Sequence, residues 1–293
     1  MRGLTPLPPE RVAALSGLYA AASGSARRRT LASFAVLAVL ALLAGLVAEV
    51  RPLVLVANIG KFTAYIEQIW PPIGLDHPVA DMRAWYWGLP GWLALLGETL
   101  LMAYLGTLFG AVAGFALSFV AAANLVRSAP VRFLAKRVLE VCRTIPDVVF
   151  ALLFVIAFGL GPMVGVLALA IHTTGALGKL FSEVVENIDM RPVEGLSASG
   201  ASWLETVRFA VLPQVLSNFV SYGLLRFEIN VRGAAVLGFV GAGGIGQEFL
   251  AAIRNFYYAD VSAILGLIIL TVVGIDLATE QVRHRLTGLE EAR

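Results

Sequence analysis

Long apolar runs separated by short polar clusters set the pattern of this chain. The first runs from Leu31 to Val50 with one acidic residue, Glu49, at its end. About twenty residues at a rise of about 1.5 Å match a hydrocarbon core about 30 Å thick, so the run predicts a transmembrane helix. Further runs at about Trp92–Ala122, Pro146–Leu160, Met163–Phe181, Pro213–Val240 and Val261–Leu277 bring the expected spans to six. Within the second run, Gly106, Gly110 and Gly114 recur at spacing four, the small-residue pattern that lets membrane helices approach closely.

The polar stretches between the runs differ in kind. Residues 51–91 carry Trp70, Trp85 and Trp87 with Pro71, Pro72 and Pro90. Tryptophan concentrates at the membrane–water interface, which predicts interfacial helices near Ile59–Trp70 and Ala80–Trp87. A carbohydrate-stacking site is the sharper alternative. The stretch EGLSASGASWLETVRFAVLP, Glu194–Pro213, is too short and polar to span a bilayer and too apolar on one face to be a free loop. Leu196, Trp203, Leu204, Val207 and Val211 fall along a helical stripe that Gly200 interrupts. Ser202 with Glu205 three residues on reads as a capping box, and Pro192 suits the first turn of the preceding helix. Helix, glycine turn and helix therefore lead to Pro213 at the head of the next apolar run, as a module built to dock something.

The fold class expected is all-α, a polytopic membrane protein. It has a tail at 1–30, a first span at 31–50 and a loop with interfacial helices at 51–91. A core at 92–282 contains the docking loop at 191–212, and a tail occupies 283–293.

Composition agrees with a membrane reading. Of 293 residues 58% are hydrophobic and 14% charged, against about 25% charged in soluble domains. The net charge of +2 gives no case for nucleic acid, and the single cysteine, Cys142, permits no intrachain disulfide. No metal-ligand spacing is present, and His77, His172 and His284 lie far apart. Basic residues number sixteen in the tails and in loops 121–145 and 178–212, against four in the opposite loops. That asymmetry assigns both termini and the docking loop to the cytoplasm.

Candidate chemistry is concentrated in the fifth apolar run, with Arg226, Glu228, Asn230 and Arg232. Each ionisable group at the bilayer centre costs about 2.5–3.5 kcal/mol on insertion scales, so these side chains are expected to avoid lipid. Arg226 and Asn230 share one stripe, Glu228 and Arg232 another. An internal ion pair locking helices together is one reading. A path for an anion, whose oxygens suit an arginine fork, is the other, and the two are compatible. Glu228 is expected to neutralise Arg232 and leave Arg226 freer. His172, Thr173 and Thr174 sit in the fourth run, either as hydrogen-bonded bundle residues or as polar lining of the path.

The loop GAGGIG, with Gly241, Gly243, Gly244 and Gly246, matches G-x-G-x-x-G. It lacks the strand–turn–helix context of a dinucleotide site. It is expected to form a tight turn at the outer mouth of the pore, where exposed N–H groups could help pass an anion. No G-x-x-x-x-G-K-[ST] occurs, so the chain is not expected to hydrolyse ATP. No catalytic set stands out, which disfavours a membrane enzyme.

The docking stretch resembles the cytoplasmic coupling loop of ABC-importer permeases, E-A-A, three residues, G, nine residues, I-x-L-P. Glu194, Gly195, Gly200, Ala201, Leu212 and Pro213 carry the match. Gly195 and Leu196 replace the two alanines, and Ala210 stands at the isoleucine. RTIPDVVFALLFV (143–155), GLGPMVGVLALAIHTTGALGKLFSE (159–183), FEINVRGAAVLGFVGAGGIGQEF (227–249) and IRNFYYAD (253–260) extend the resemblance over residues 90–285. Together they look like the permease subunit of phosphonate-class ABC importers. The resemblance implies a bacterial inner-membrane importer component and a second permease copy, identical or paralogous. It also implies a cytoplasmic ABC ATPase dimer that holds the ATP and Mg, with no cofactor on this chain. An extracytoplasmic binding protein would deliver phosphonate, phosphite or hypophosphite. A methionine-type amino-acid importer is the alternative within the class. An ATP-independent secondary transporter, which has little use for a docking module, is the alternative outside it.

Overall fold

The computed structural model describes residues 8–70, 74 and 76–291. Residues 1–7 and 292–293 of the expected tails, and Pro71 and Pro72, lie outside the described residues. The chain divides into a leading unit through Ile66 and a main unit from Glu67 onward.

In the leading unit, helix α1 runs over Pro9–Val47. Its Ala26–Val47 portion is apolar enough to cross a membrane and contains no buried residue. The sequence placed this span at 31–50 behind a separate tail. The arginines at 27–29 are good helix formers, so the helix passes through them, and it stops before Glu49, whose φ of 52° is left-handed. Helix α2, Pro52–Ala57, has no counterpart in the expected elements. Helix α3 spans Ile59–Ile69, close to the expected 59–70.

The main unit opens with α4, Pro78–Trp85. The indole Nε1 of Trp85 donates to the Ala259 carbonyl and to Ser262 Oγ, each at 3.0 Å. That of Trp87 donates to Asp260 Oδ1 at 3.0 Å, and Trp92 is buried. These bonds tie Trp85 and Trp87 to residues 259–262. Helix α5, Leu89–Ala121, and α8, Pro162–Glu186, form the central pair. Between them, α6 (Ala129–Thr144) and α7 (Asp147–Phe158) meet at a bend of 86° after Thr144. Pro146 sits in that bend, where its ring disfavours helix at the preceding residue. The two helices are long and apolar enough to count as one span only when taken together across that bend.

Helix α9, Arg191–Ala198, ends at Gly200, whose φ of +86° suits glycine. Helix α10, Trp203–Thr206, starts from the capping box on Ser202. It passes through a π turn, Val207–Val211, directly into α11, Leu212–Leu237. The second half of the docking module and the fifth span thus form one continuous helical segment. After α11 come α12, Ile245–Arg254, and α13, Tyr258–Glu291. The sequence pattern expected the last span to end at Leu277 and the tail to begin at 283, but the helix continues through both. Among the described residues, four helices are long and apolar enough to cross a membrane, or up to six if each bent pair counts as one.

Two apolar clusters hold the central pair to α11. One contains Phe119, Leu177, Phe181, Val211, Val215 and Phe219, with the Phe181 and Phe219 rings stacked at 4.0 Å. The other contains Ala103, Ala168, Leu169, Val231, Ala234 and Leu237. The first cluster includes Val193 and Ala210, so the docking module is anchored in the same core as the spans.

The capping box yields a test of that module. Ser202 donates to Glu205 Oε2 through both its N–H and its hydroxyl, each at 2.7 Å. These bonds hold the Glu205 carboxyl below the ordinary glutamate range. A lowered carboxyl pKa stabilises the fold above the usual range near about 4.3, and the contribution fades as pH falls through the lowered value. Ser202→Ala is expected to reduce amide-exchange protection of residues 205 and 206 about fivefold at neutral pH, the usual worth of an N-cap. The difference from the wild type should shrink in acid.

Candidate translocation site and coupling surface

The fifth-span residues separate into two constellations, as the two-stripe spacing predicts. Arg226 and Asn230 lie one helical turn apart on α11, facing α8. Arg226 Nε donates to Thr173 Oγ1 at 3.3 Å. Asn230 Nδ2 donates to the same hydroxyl at 2.9 Å and to Thr107 Oγ1 at 2.8 Å. Thr107 in turn donates to the Ala103 carbonyl at 2.6 Å. Asn230 is buried and its Oδ1 has no hydrogen-bond partner. The network pins Arg226 by its Nε, while its two terminal nitrogens have no hydrogen-bond partner among the described residues. Asp147, at the start of α7, supplies the opposite charge that attracts Arg226. A guanidinium held this way can offer a two-pronged donor to an oxyanion.

The other stripe is an ion cluster between α11 and α13. Glu228 is buried and accepts a hydrogen bond from the Thr279 hydroxyl. Arg283 lies 3.7 Å and Arg232 3.9 Å from its two oxygens. Arg232 also lies 3.4 Å from Asp276 and is half exposed. Glu228 is thus shared by two arginines, and Arg232 by two carboxylates. The cluster is the helix-locking arrangement, and it leaves Arg232 little unbalanced charge.

His172 and Thr173 are adjacent in sequence but point apart, as a turn of about 100° per residue requires. Thr173 joins the Arg226 network. His172 Nδ1 lies 3.0 Å from the Ile145 carbonyl, a contact only a protonated Nδ1 can make, and it braces the α6–α7 bend. Thr174 donates to the Ala170 carbonyl within its own helix.

The glycine loop is a packed turn. Gly241, Gly243 and Gly244 take φ of +95°, +85° and +70°. Residues 242–246 are buried, and the Ile245 N–H donates to Thr99 Oγ1 at 2.9 Å. A Cβ on Gly246 would collide with the Ala235 carbonyl. The expected exposed N–H groups are therefore not offered to solvent by residues 242–246.

On the docking module, Val193 is buried while Glu194 and Gly195 are exposed in α9. Glu194 makes no side-chain bond among the described residues. Gly200 and Ala201 form the turn, where the Ala201 N–H donates to the Leu196 carbonyl at 3.1 Å. Leu212 and Pro213 open α11. The apolar stripe read from the sequence splits: Val207 and Val211 face the core, whereas Trp203 and Leu204 are exposed together with Phe209. Leu204 is 71% exposed.

Sequence reasoning did not single out Thr107, Asp147, Asp276, Thr279 or Arg283. Asp147 and Asp276 each stand inside an apolar run, and that signal could have found them. The two threonines and Arg283 gave none.

The family described as binding-protein-dependent transport system inner membrane component matches residues 106–286. The chain is 37% identical over 235 residues to the phosphate-import permease protein PhnE of Mycolicibacterium smegmatis, covering 80% of this chain and 42% of that protein. It is 39% identical over 189 residues to the phosphite transport system permease protein PtxC of Stutzerimonas stutzeri, covering 64% of this chain and 69% of that one. It thus spans less than half the length of the first relative and about two thirds of the second. Among solved structures it resembles an inward-facing MetNI methionine ABC transporter, with a TM-score of 0.57, 19% identity and coverage of 67% of this chain and 95% of that one. That likeness gives the fold, a type I ABC-importer permease.

Proposed function

We infer, for a chain that belongs to the family of inner-membrane components of binding-protein-dependent transport systems, that it forms the membrane path of an ATP-driven importer of phosphonate-class oxyanions. The cargo class covers phosphonate, phosphite and related anions of phosphorus. The observation that carries this reading is the Arg226 fork, held at its Nε by the Thr173 hydroxyl that Asn230 also donates to, with its two terminal nitrogens unpartnered among the described residues. The two permease relatives, one of phosphate import and one of phosphite transport, point to the same chemistry. The methionine transporter shares the fold at an identity too low to carry its cargo.

In this mechanism a loaded binding protein docks outside, and two permease copies enclose the path. ATP is hydrolysed on a separate cytoplasmic ATPase dimer that carries the Mg; this chain binds no cofactor. ATPase closure presses on exposed Glu194, Trp203, Leu204 and Phe209. Because α10 runs into α11 without a break, displacement of the module tilts the helix that carries Arg226. Both termini lie in the cytoplasm by the distribution of basic residues.

The test is ATP hydrolysis by the reconstituted complex of this chain with its ATPase and binding protein. Phosphonate, phosphite, phosphate and methionine are titrated in turn. Stimulation by a phosphorus oxyanion, lost in Glu194→Ala, is the expected result. Stimulation by methionine alone overturns the cargo and leaves the importer standing. Failure of any ATPase to associate overturns the importer.

A further inference from the structure

The polar row on α11 is longer than the pair that first drew notice. Gln214, Asn218, Tyr222, Arg226 and Asn230 recur at spacing four, a ridge about 24 Å long at about 1.5 Å per residue. Such a ridge slants across its helix, and here it follows α8. Its upper members meet Thr173 of α8. Its lower members line a cavity of about 440 Å³ with Glu183, Asn187 and Asp189 from the end of α8 and the link beyond it.

The chemistry changes along the row. Asn230 is buried, Arg226 and Tyr222 are half-buried and Asn218 is exposed. Gln214 is fully engaged, accepting from the Asp189 N–H at 3.1 Å and donating to the Asp189 and Ala210 carbonyls. Asn218 and Tyr222, by contrast, make no hydrogen bond among the described residues. At the rim stand two carboxylates, Glu183 paired with Lys179 at 2.7 Å and Asp189 with Arg191 at 2.9 Å. The order inward to outward from the membrane centre is therefore cation, neutral donors, balanced carboxylates.

We propose that this cavity is the release vestibule of the path. Asn218 Nδ2 and the Tyr222 hydroxyl receive the oxyanion from Arg226 before it enters the cytoplasm. The proposal rests on the cargo reading above. Two neutral donors bind an anion more weakly than a guanidinium, and the rim offers it no free cation. Cargo that has left Arg226 is then held loosely enough to escape. Asn218 and Tyr222 thus set the rate of release, and selectivity at this point extends to any tetrahedral oxyanion small enough for the cavity.

The test uses the full complex in proteoliposomes, measuring uptake of labelled methylphosphonate, phosphite or phosphate together with ATP hydrolysed. In the double variant Asn218→Leu/Tyr222→Phe, cargo moved per ATP is expected to fall about tenfold, the worth of two neutral hydrogen bonds. Asn218→Asp, isosteric and at an exposed position, should cause a similar loss by repelling the anion, while Asn218→Gln keeps the ratio within about twofold of wild type. An unchanged ratio in the double variant and in Asn218→Asp overturns the vestibule and leaves the cargo reading intact. Uptake of none of the three anions by the wild-type complex overturns both.

Discussion

Arg226→Ala is expected to lower oxyanion uptake about a hundredfold, with the complex still assembled. The size follows from the bond type. Removing the guanidinium costs the oxyanion a charge-assisted hydrogen bond worth about 1.5–3 kcal/mol, and about 2.7 kcal/mol is a hundredfold. Arg226→Lys keeps the charge but loses the fork and the Nε that Thr173 accepts from, so about tenfold of the loss should remain. Arg232→Ala is the comparison that decides between charge and position. Arg232 lies on the same helix six residues on, is half exposed, and already faces Glu228 and Asp276. Its pair with Asp276 is exposed and worth about 0–1 kcal/mol, and Arg283 still faces the buried Glu228, so its removal should change uptake no more than about fivefold. The measurement is initial uptake in proteoliposomes at saturating binding protein. Equal losses in the two alanine variants would mean that the general field of the span, and not the pinned fork, attracts cargo.

The row geometry that separates these arginines was legible in the sequence, because residues four apart on a helix share a stripe whatever surrounds them. So was the capping box on Ser202, where two side chains three residues apart satisfy each other locally. A close helix approach along α5 was legible as the spacing of Gly106, Gly110 and Gly114, but the identity of its partner, α8, was not. What the pattern missed depends on partners distant in the chain. Apart from Arg232, the neighbours of Glu228 come from α13, more than forty residues on, and no local rule brings Thr279 or Arg283 to it. Helix α12 went unread because it follows a glycine loop and ends beside aromatic residues, both of which read as irregular structure. The loop's N–H groups were expected in the open for the same reason: φ values favour glycine in either setting, and burial against Thr99 is a tertiary fact. The docking stripe was read as one face, yet half of it anchors in the core. Periodicity identifies an apolar face without saying whether the chain itself or a partner covers it.

Gly110→Ala joins packing to the site. Helices α5 and α8 approach so closely at this position that a new Cβ would lie 2.5 Å from Thr173 Cβ and 2.8 Å from the Ala170 carbonyl. Neither atom belongs to the flexible end of a side chain, so the helices themselves must separate. Overpacking of this kind costs about 1–3 kcal/mol, and contact with backbone puts Gly110→Ala at the upper end. The displaced residue is Thr173, whose hydroxyl receives both Arg226 Nε and Asn230 Nδ2. The variant is therefore expected to lower the thermal midpoint of the detergent-solubilised complex and to cut uptake about tenfold or more in the molecules that remain folded. Gly97→Ala, on the same helix with nothing within 4 Å of the added atom, should leave both unchanged. The midpoint and the uptake per folded molecule separate the two effects. A lowered midpoint with normal uptake would mean that Thr173 moves without carrying Arg226 along, and would assign the threonine to the packing seam alone.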